Sequence, residues 1–357
     1  MFTTHTLGQV ADTSKLSSMS ELAKTDFLTL HAGTVLEQVA FNHQLFGLDK
    51  VSAAKQHSTE WYGSCSYFDA LSPDTTLIPQ LNTTALRDQI KQAEVAGFQY
   101  KASVLGPVSL LQTLRFESEE KRITYFETLL PLYTELISEL SKTSLSWIQL
   151  DEPMLTQPLT RELRHAFRAG YFRLQRSPVK LMVVSCFGVL SQNLQLACQL
   201  PVQALHVDAL QPKQMMSVVD WLPRHKILSL GVIDGQDLAK SDLTSLLTRL
   251  KPVAARLKER LWLAPNQSFM HLPVDENQTE NADESNAFVL QKIRELNALA
   301  QALKDGEFKQ SVRIPRTNSP KDVVHPEDNA KVANGYNPKS STKARTPLHK
   351  LRLVHSS

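Results

Sequence analysis

Eight short apolar runs punctuate this chain, and longer amphipathic stretches separate most of them. The runs are THTLG (4–8), DFLTLH (26–31), YKASVLG (100–106), SWIQLD (146–151), VKLMVVS (179–185), QALHVD (203–208), KILSLGV (226–232) and LWLAP (261–265). Such near-continuous apolar runs suit strands covered on both faces. Between them, LRDQIKQAEVAG (86–97) is helical in period and stops at a glycine. The segment 119–142 places Leu, Ile and Tyr at three- and four-residue spacing, with Pro131 set to kink or break it. Segments 217–223, 242–260 and 284–305 complete the helical set.

Strands that alternate with helices need crossover connections, which make a parallel sheet. Eight units in roughly 300 residues suit a closed barrel better than an open doubly wound sheet. An open sheet would carry a glycine-rich phosphate turn after its first strand; here that position reads LGQVADTS. The expected fold is therefore α/β, a single (β/α)8 TIM barrel over 1–307. A long insertion, 32–99, follows its second strand and holds extra helices and a loop.

From Phe308 onward there are ten Lys/Arg against three Asp/Glu, so this stretch carries +7 and residues 1–307 carry −4. With five prolines and no helical period, 308–357 reads as a basic, disordered tail. The body has no basic stripe interleaved with aromatics, so no nucleic-acid partner is expected. No apolar run is long enough to span a membrane, and no secretory signal opens the chain. Three scattered cysteines without CxxC fit a reducing compartment, hence a cytoplasmic location.

In a barrel of this kind, polar residues at the C-terminal strand ends line the mouth where ligands bind. WIQLDEP (147–153) runs straight into Asp151 and Glu152, and Pro153 ends the ladder. LHVD supplies His206 and Asp208, GVIDG supplies Asp234, LAPNQS supplies Asn266, and MHLPVD supplies His271. Adjacent strand residues face opposite ways, so Asp151 and Glu152 cannot address one ligand atom together. One of them is open to capping the next helix or pairing with a neighbouring Arg. His206 and Asp208 share a face, as an interior pair or a binding pair. Asp234 before Gly235 also fits turn chemistry, and Cys186 in VVSCFG reads as a small buried apolar residue. There is no HExxH, no GxSxG and no Cys/His cluster at metal spacing, so neither a catalytic residue nor a metal ligand is assigned.

WIQLDEPML, VLGPVSLL (104–111), LPLYTELISEL (130–140), LPVQALHVDAL (200–210), LSLGVIDGQDL (228–238) and LWLAPNQSFMHLPVD (261–275) resemble the amino-terminal half of cobalamin-independent methionine synthase. They occur in that family's order and at similar spacings, and cover residues 100–305 well. HTLG, DFLTLHAGTVLEQVAFNHQLFGL and STEWYGSCSYF look like degraded counterparts earlier in the chain. The resemblance implies a TIM barrel that faces a second one. The second barrel holds zinc, which activates the homocysteine thiolate, and a methyltetrahydrofolate polyglutamate binds between the two. The zinc-bearing half is absent from this sequence. The corresponding strand ends here read Val-Ser-Cys (184–186), Asp208 and Asn-Gln-Ser (266–268), so no zinc is expected on this chain. Trp61 joins the candidate mouth residues through the aromatic loop. The Lys that precedes this Trp in the family is Glu60 here, and the basic helix after the first strand is missing.

The expectation is a folate-side methionine-synthase barrel that works with a separate zinc-bearing barrel. The alternatives are a non-catalytic relic or small-ligand-binding barrel, and an independent enzyme using Asp151, His206 and Asp208.

Overall fold

The computed structural model describes residues 2–7, 25–30, 35–48, 58–60, 67–69, 78–97, 99–235, 237, 239–269 and 282–308. Trp61, His271, Cys65, His31 and the tail from 309 onward lie outside the described residues.

Eight parallel strands form the barrel. They are β1 (Thr3–Thr4), β2 (Leu28–Leu30), β5 (Tyr100–Leu105), β6 (Trp147–Asp151), β7 (Lys180–Ser185), β8 (Ala204–Asp208), β9 (Ile227–Ile233) and β10 (Leu261–Pro265). The order is β1-β10-β9-β8-β7-β6-β5-β2. The ring closes between its two outermost members. His5 bridges Phe27 in parallel, and the Thr6 and Phe27 N–H groups donate to Phe27 and Thr4 carbonyls at 3.1 and 3.2 Å. Seven of the strands match their apolar runs, while β1 shares only Thr4 with the run 4–8.

The insertion after β2 holds helix α1 (Val35–Leu45), a hairpin of β3 (Ser58–Glu60) and β4 (Tyr67–Asp69), and helix α2 (Thr84–Ala96). Gly97 ends α2 at φ 73°, where a glycine carries no steric penalty. The remaining helices are α3 (Pro107–Gln112), α4 (Glu119–Leu140), α5 (Arg161–Leu174), α6 (Leu194–Gln199), α7 (Pro212–Trp221), α8 (Leu243–Leu257) and α9 (Ala282–Asp305). α4 runs through Pro131 without a break. Ser118 starts it by accepting the Lys121 N–H, and Glu119 and Glu120 favour its positive end.

The period-two alternation of the strands sorts residues between two cores. Ala102, Val104, Ile148, Leu150, Leu181, Val183, Leu205, Val207, Leu228, Leu230, Leu261 and Leu263 face outward and pack under the helices. Inside, Trp147, Met182, Val184, Ala204, Trp262 and Ala264 make a smaller apolar cluster. Trp262 stacks on Phe27 at 5.4 Å and meets Trp147 edge-on at 5.0 Å. Lys101, Ser103, Gln149, Asp151, His206 and Ser229 complete the interior, all buried.

Candidate functional site

Asp151 is the last residue of β6 and points into the barrel. Its Oδ2 accepts from Ser103 Oγ at 2.6 Å and from Gln38 Nε2 at 2.9 Å; its Oδ1 accepts from Gln149 Nε2 at 2.6 Å. Burial pushes its pKa up to about 6, against the pull of those donors and of Lys101. Lys101 is itself fully enclosed and donates to Gln149 Oε1. Burial lowers its pKa to about 7, with Asp151 opposing. Gln38 belongs to α1, and Asn42 of the same helix accepts the Leu105 N–H at 2.9 Å. Asp151 therefore serves to seat α1 over the ends of β5 and β6.

Glu152 faces the other way, as strand alternation requires. Its carboxylate accepts the Val108 and Ser109 N–H groups at 3.2 and 2.8 Å, at the start of α3, and the Tyr171 hydroxyl at 3.0 Å. Burial raises its pKa to about 7 despite these donors. Gly106 makes room for it, because a Cβ there would lie 2.3 Å from the carboxyl carbon. Glu152 thus holds the start of α3, the helix after β5, and not the helix that follows its own strand.

Across the barrel, His206 Nδ1 lies 2.8 Å from Ser229 Oγ, and His5 Nε2 lies 2.6 Å from the same oxygen. Burial holds both imidazoles far below their usual pKa, His206 at about 3. His206 Nε2 makes no hydrogen bond of good geometry, although the Asn266 backbone lies near enough to favour the charged ring.

Above His206 is the half-buried rim. Asp208 Oδ1 accepts the Leu210 N–H at 3.0 Å, and Asn266 Nδ2 stands 3.4 Å from its Oδ2. Asn266 Oδ1 accepts the Gly235 N–H at 2.9 Å. Partial burial raises the Asp208 pKa, and Asp234 adds to the effect. Asp234 follows β9 and accepts weakly from the Asp237 N–H at 3.4 Å, an aspartate-turn contact. Asn266 reaches inward because β10 shifts register between Ala264 and Pro265 opposite Gly231. A Cβ on Gly231 would sit 2.4 Å from Asn266 Cα, so only glycine admits this crossing.

The structure thus brings Asp208, Asp234 and Asn266 together with His206 beneath them, and commits Asp151 and Glu152 elsewhere. Sequence reading missed His5, Lys101, Gln149 and Ser229. The one available signal was polar residues at every second place in otherwise apolar strands. As for zinc, no three His, Cys, Asp or Glu among the described residues are grouped to hold a metal ion. Cys186 is buried, and burial and the nearby carboxylates raise its thiol pKa well above normal, the reverse of a metal-ready thiolate. The described residues do not fit a zinc site.

The family model described as "Cobalamin-independent synthase, N-terminal domain" matches residues 48–258. A 5-methyltetrahydropteroyltriglutamate–homocysteine methyltransferase of Saccharophagus degradans is 37% identical over 255 residues. That match covers 70% of this chain but 33% of the relative's length. A B12-independent methionine synthase from Shewanella sp. W3-18-1, solved with selenomethionine, superposes with a TM-score of 0.60 at 14% identity, over 82% of this chain and 86% of that one. A putative vitamin-B12-independent methionine synthase of Listeria monocytogenes gives 0.55 at 12%, over 84% and 87%. At these identities the structural likeness establishes the fold, a TIM barrel.

Proposed function

The chain belongs to the cobalamin-independent synthase family through that family's N-terminal domain, and from this premise we propose that it serves methionine biosynthesis as the folate-side barrel of a two-barrel synthase. The zinc-bearing barrel is supplied by a second chain. The observation that carries this reading is the commitment of the strand-end acids. Asp151 and Glu152 seat α1 and α3, Cys186 is a buried, protonated thiol, and His206 is a neutral ring bound to Ser229. No activated nucleophile stands at this mouth among the described residues, so thiol methylation belongs to the partner. This barrel contributes the docking face and one wall of the folate cleft.

Asp208, Asp234 and Asn266 form that wall, with Trp61 and His271 as further candidates. The two carboxylates suit the N–H edge of a pterin and oppose an anionic glutamate tail. The location we assign is the cytoplasm, in keeping with the unpaired Cys186 and Cys198. Among the described residues no helix is long and apolar enough to cross a membrane.

The test is reconstitution with a zinc-bearing methionine-synthase barrel. Methyl transfer from methyltetrahydrofolate triglutamate to homocysteine is expected only on mixing, together with co-purification. Absence of both would overturn the assignment. A second reading, a ligand-binding barrel that no longer takes folate polyglutamate, is favoured by Glu60 standing where the family has Lys. Titration calorimetry with methyltetrahydrofolate triglutamate at low salt separates the two, since heat of binding in the micromolar range excludes the second.

A further inference from the structure

Helix α5 shows solvent a row of cations that the fold does not use. Residues 161–176 hold five arginines against one glutamate. At about 100° per residue, Arg161, Arg164, His165, Arg168 and Phe172 share one face of this helix. Leu163, Phe167, Tyr171 and Leu174 lie on the opposite face and pack into the core. Gly170 lets that inner face close on α4, since a Cβ there would sit 3.0 Å from the Phe126 ring. Arg173, at the flank, meets Glu127 of α4 at 3.3 Å. Among the described residues, Arg161, Arg164 and Arg168 make no ion pair and no side-chain hydrogen bond. On other helices exposed cations do meet acids, as in Arg87 with Glu139, Lys121 with Glu117 and Arg256 with Asp220.

The row works against its own helix. Arg161 and Arg164 are three residues apart, Arg164 and Arg168 four, and like charges at those spacings weaken a helix. Arg161 also stands in the first turn, at the positive end of the dipole. Phe172 continues the row and is 66% exposed, an aromatic ring left in water beside guanidinium groups. Three guanidinium forks along about 10 Å of helix suit a row of carboxylates, each held by two N–H donors. The ring at the end suits an apolar side chain. Arginine and aromatic residues are also the ones that protein interfaces concentrate at their centres. A membrane is a poorer match, because the apolar face of α5 is buried in the barrel and has nothing to insert. A nucleic acid is poorer too. It gains affinity from many phosphates, whereas this row is short and residues 1–307 carry −4.

We propose that the outer face of α5, from Arg161 to Phe172, is a docking surface for an acidic segment of another protein. Carboxylates of that segment meet Arg161, Arg164 and Arg168, and an apolar side chain covers Phe172. This goes beyond the folate-side assignment: the face lies on the outer helical layer, and no strand-end residue takes part.

The test is 15N–1H correlation on the full-length protein, read at the backbone amides of α5, so that binding by the +7 stretch 308–357 does not enter the readout. The probe is an oligoglutamate peptide with one central leucine, compared with its serine counterpart and with monomeric sodium glutamate at equal ionic strength. The leucine peptide should move the α5 amides saturably, and sodium glutamate should not. In Arg161→Glu/Arg168→Glu its affinity should fall at least tenfold. Reversal of two exposed cations on other elements, Arg224→Glu/Lys251→Glu, should leave it unchanged. The leucine peptide should bind several-fold tighter than the serine peptide, and Phe172→Ser should abolish that difference. Urea midpoints check that each variant folds. Three outcomes overturn the surface: no saturable movement of the α5 amides, equal losses in the two charge reversals, or tighter α5 binding of oligouridylate or phosphatidylserine vesicles. A dimer in sedimentation that Arg161→Glu/Arg168→Glu dissociates also overturns it, by making a second copy of this chain the occupant. Methyl transfer with a partner barrel is not read in this experiment, so its failure leaves the proposed function standing.

Discussion

Gln38 donates to Asp151 across 113 residues of sequence, at 2.9 Å. The bond ties the first helix of the insertion to the end of the fourth barrel strand, and three donors in all converge on that carboxylate.

Asp151→Ala should therefore act on stability. It leaves Gln38, Ser103 and Gln149 without their acceptor and Lys101 without its counter-charge. The expected loss is about 3–5 kcal/mol, the range for breaking a buried charged network. Denaturant unfolding measures it. Gln38→Ala should cost less, about 1 kcal/mol, because two donors to Asp151 remain.

Gly106→Ala places a methyl group 2.3 Å from the Glu152 carboxyl. Either Glu152 leaves the start of α3 or the backbone moves. Both routes should cost about 2–4 kcal/mol. Glu152→Gln keeps the shape but turns an NH2 toward one of the N–H donors, and should cost about 1–3 kcal/mol. If Gly106→Ala unfolds at the wild-type midpoint, Glu152 does not fill the space beside this glycine.

The pH profile should separate the histidines from the acids. His206 binds its proton at 6.5 when unfolded but near 3 when folded. Over that window the unfolded chain holds more protons, so stability falls as pH falls, by about 1.4 kcal/mol per unit for one such group. Asp151 and Glu152 are raised from 3.8 to about 6 and from 4.5 to about 7. Over those windows the folded chain holds more protons, so their contribution declines as pH rises. The opposing slopes overlap, and wild-type stability should vary little there. His206→Gln removes one of the two histidine contributions, with His5 keeping the other. Its stability should then increase relative to wild type as pH is lowered from about 6.5 to about 4, read from urea midpoints.

Chelation makes a further check. The described residues offer no metal group, so dialysis against EDTA should leave the melting temperature unchanged, and metal analysis of the purified chain should find no stoichiometric zinc. A melting point several degrees lower after EDTA would contradict this ligand count.

The architecture was legible in sequence because barrel strands bury both faces, and a run such as VKLMVVS between helical segments fits little besides a fully covered strand. α5 was harder to see: RELRHAFRAGYFRL buries Leu163, Ala166, Phe167, Gly170, Tyr171 and Leu174 within a strongly polar segment. The hairpin, with strands of three residues each, was too short to register. At the mouth, sequence placed Asp151, Asp208 and Asn266 at strand ends, but whether a carboxylate is free or spent depends on partners far along the chain. Gln38 and Ser103 decide it for Asp151, and no local pattern points to them. Lys101 escaped notice because a lysine inside a barrel runs against burial preference, and only Gln149 and Asp151 make it tolerable.

Closure of the ring, from the His5–Phe27 bridge round to β10, has a consequence for how the protein is made. Thr3 also pairs with Trp262, so the first strand waits for the last. A ribosome must release nearly the whole cylinder before its two edges can meet. Until then β1, already bridged to Phe27, and the newest strand to emerge each present an unpaired border to other nascent chains. Assembly order, more than final stability, is where a substitution at Thr3 or Trp262 would be felt.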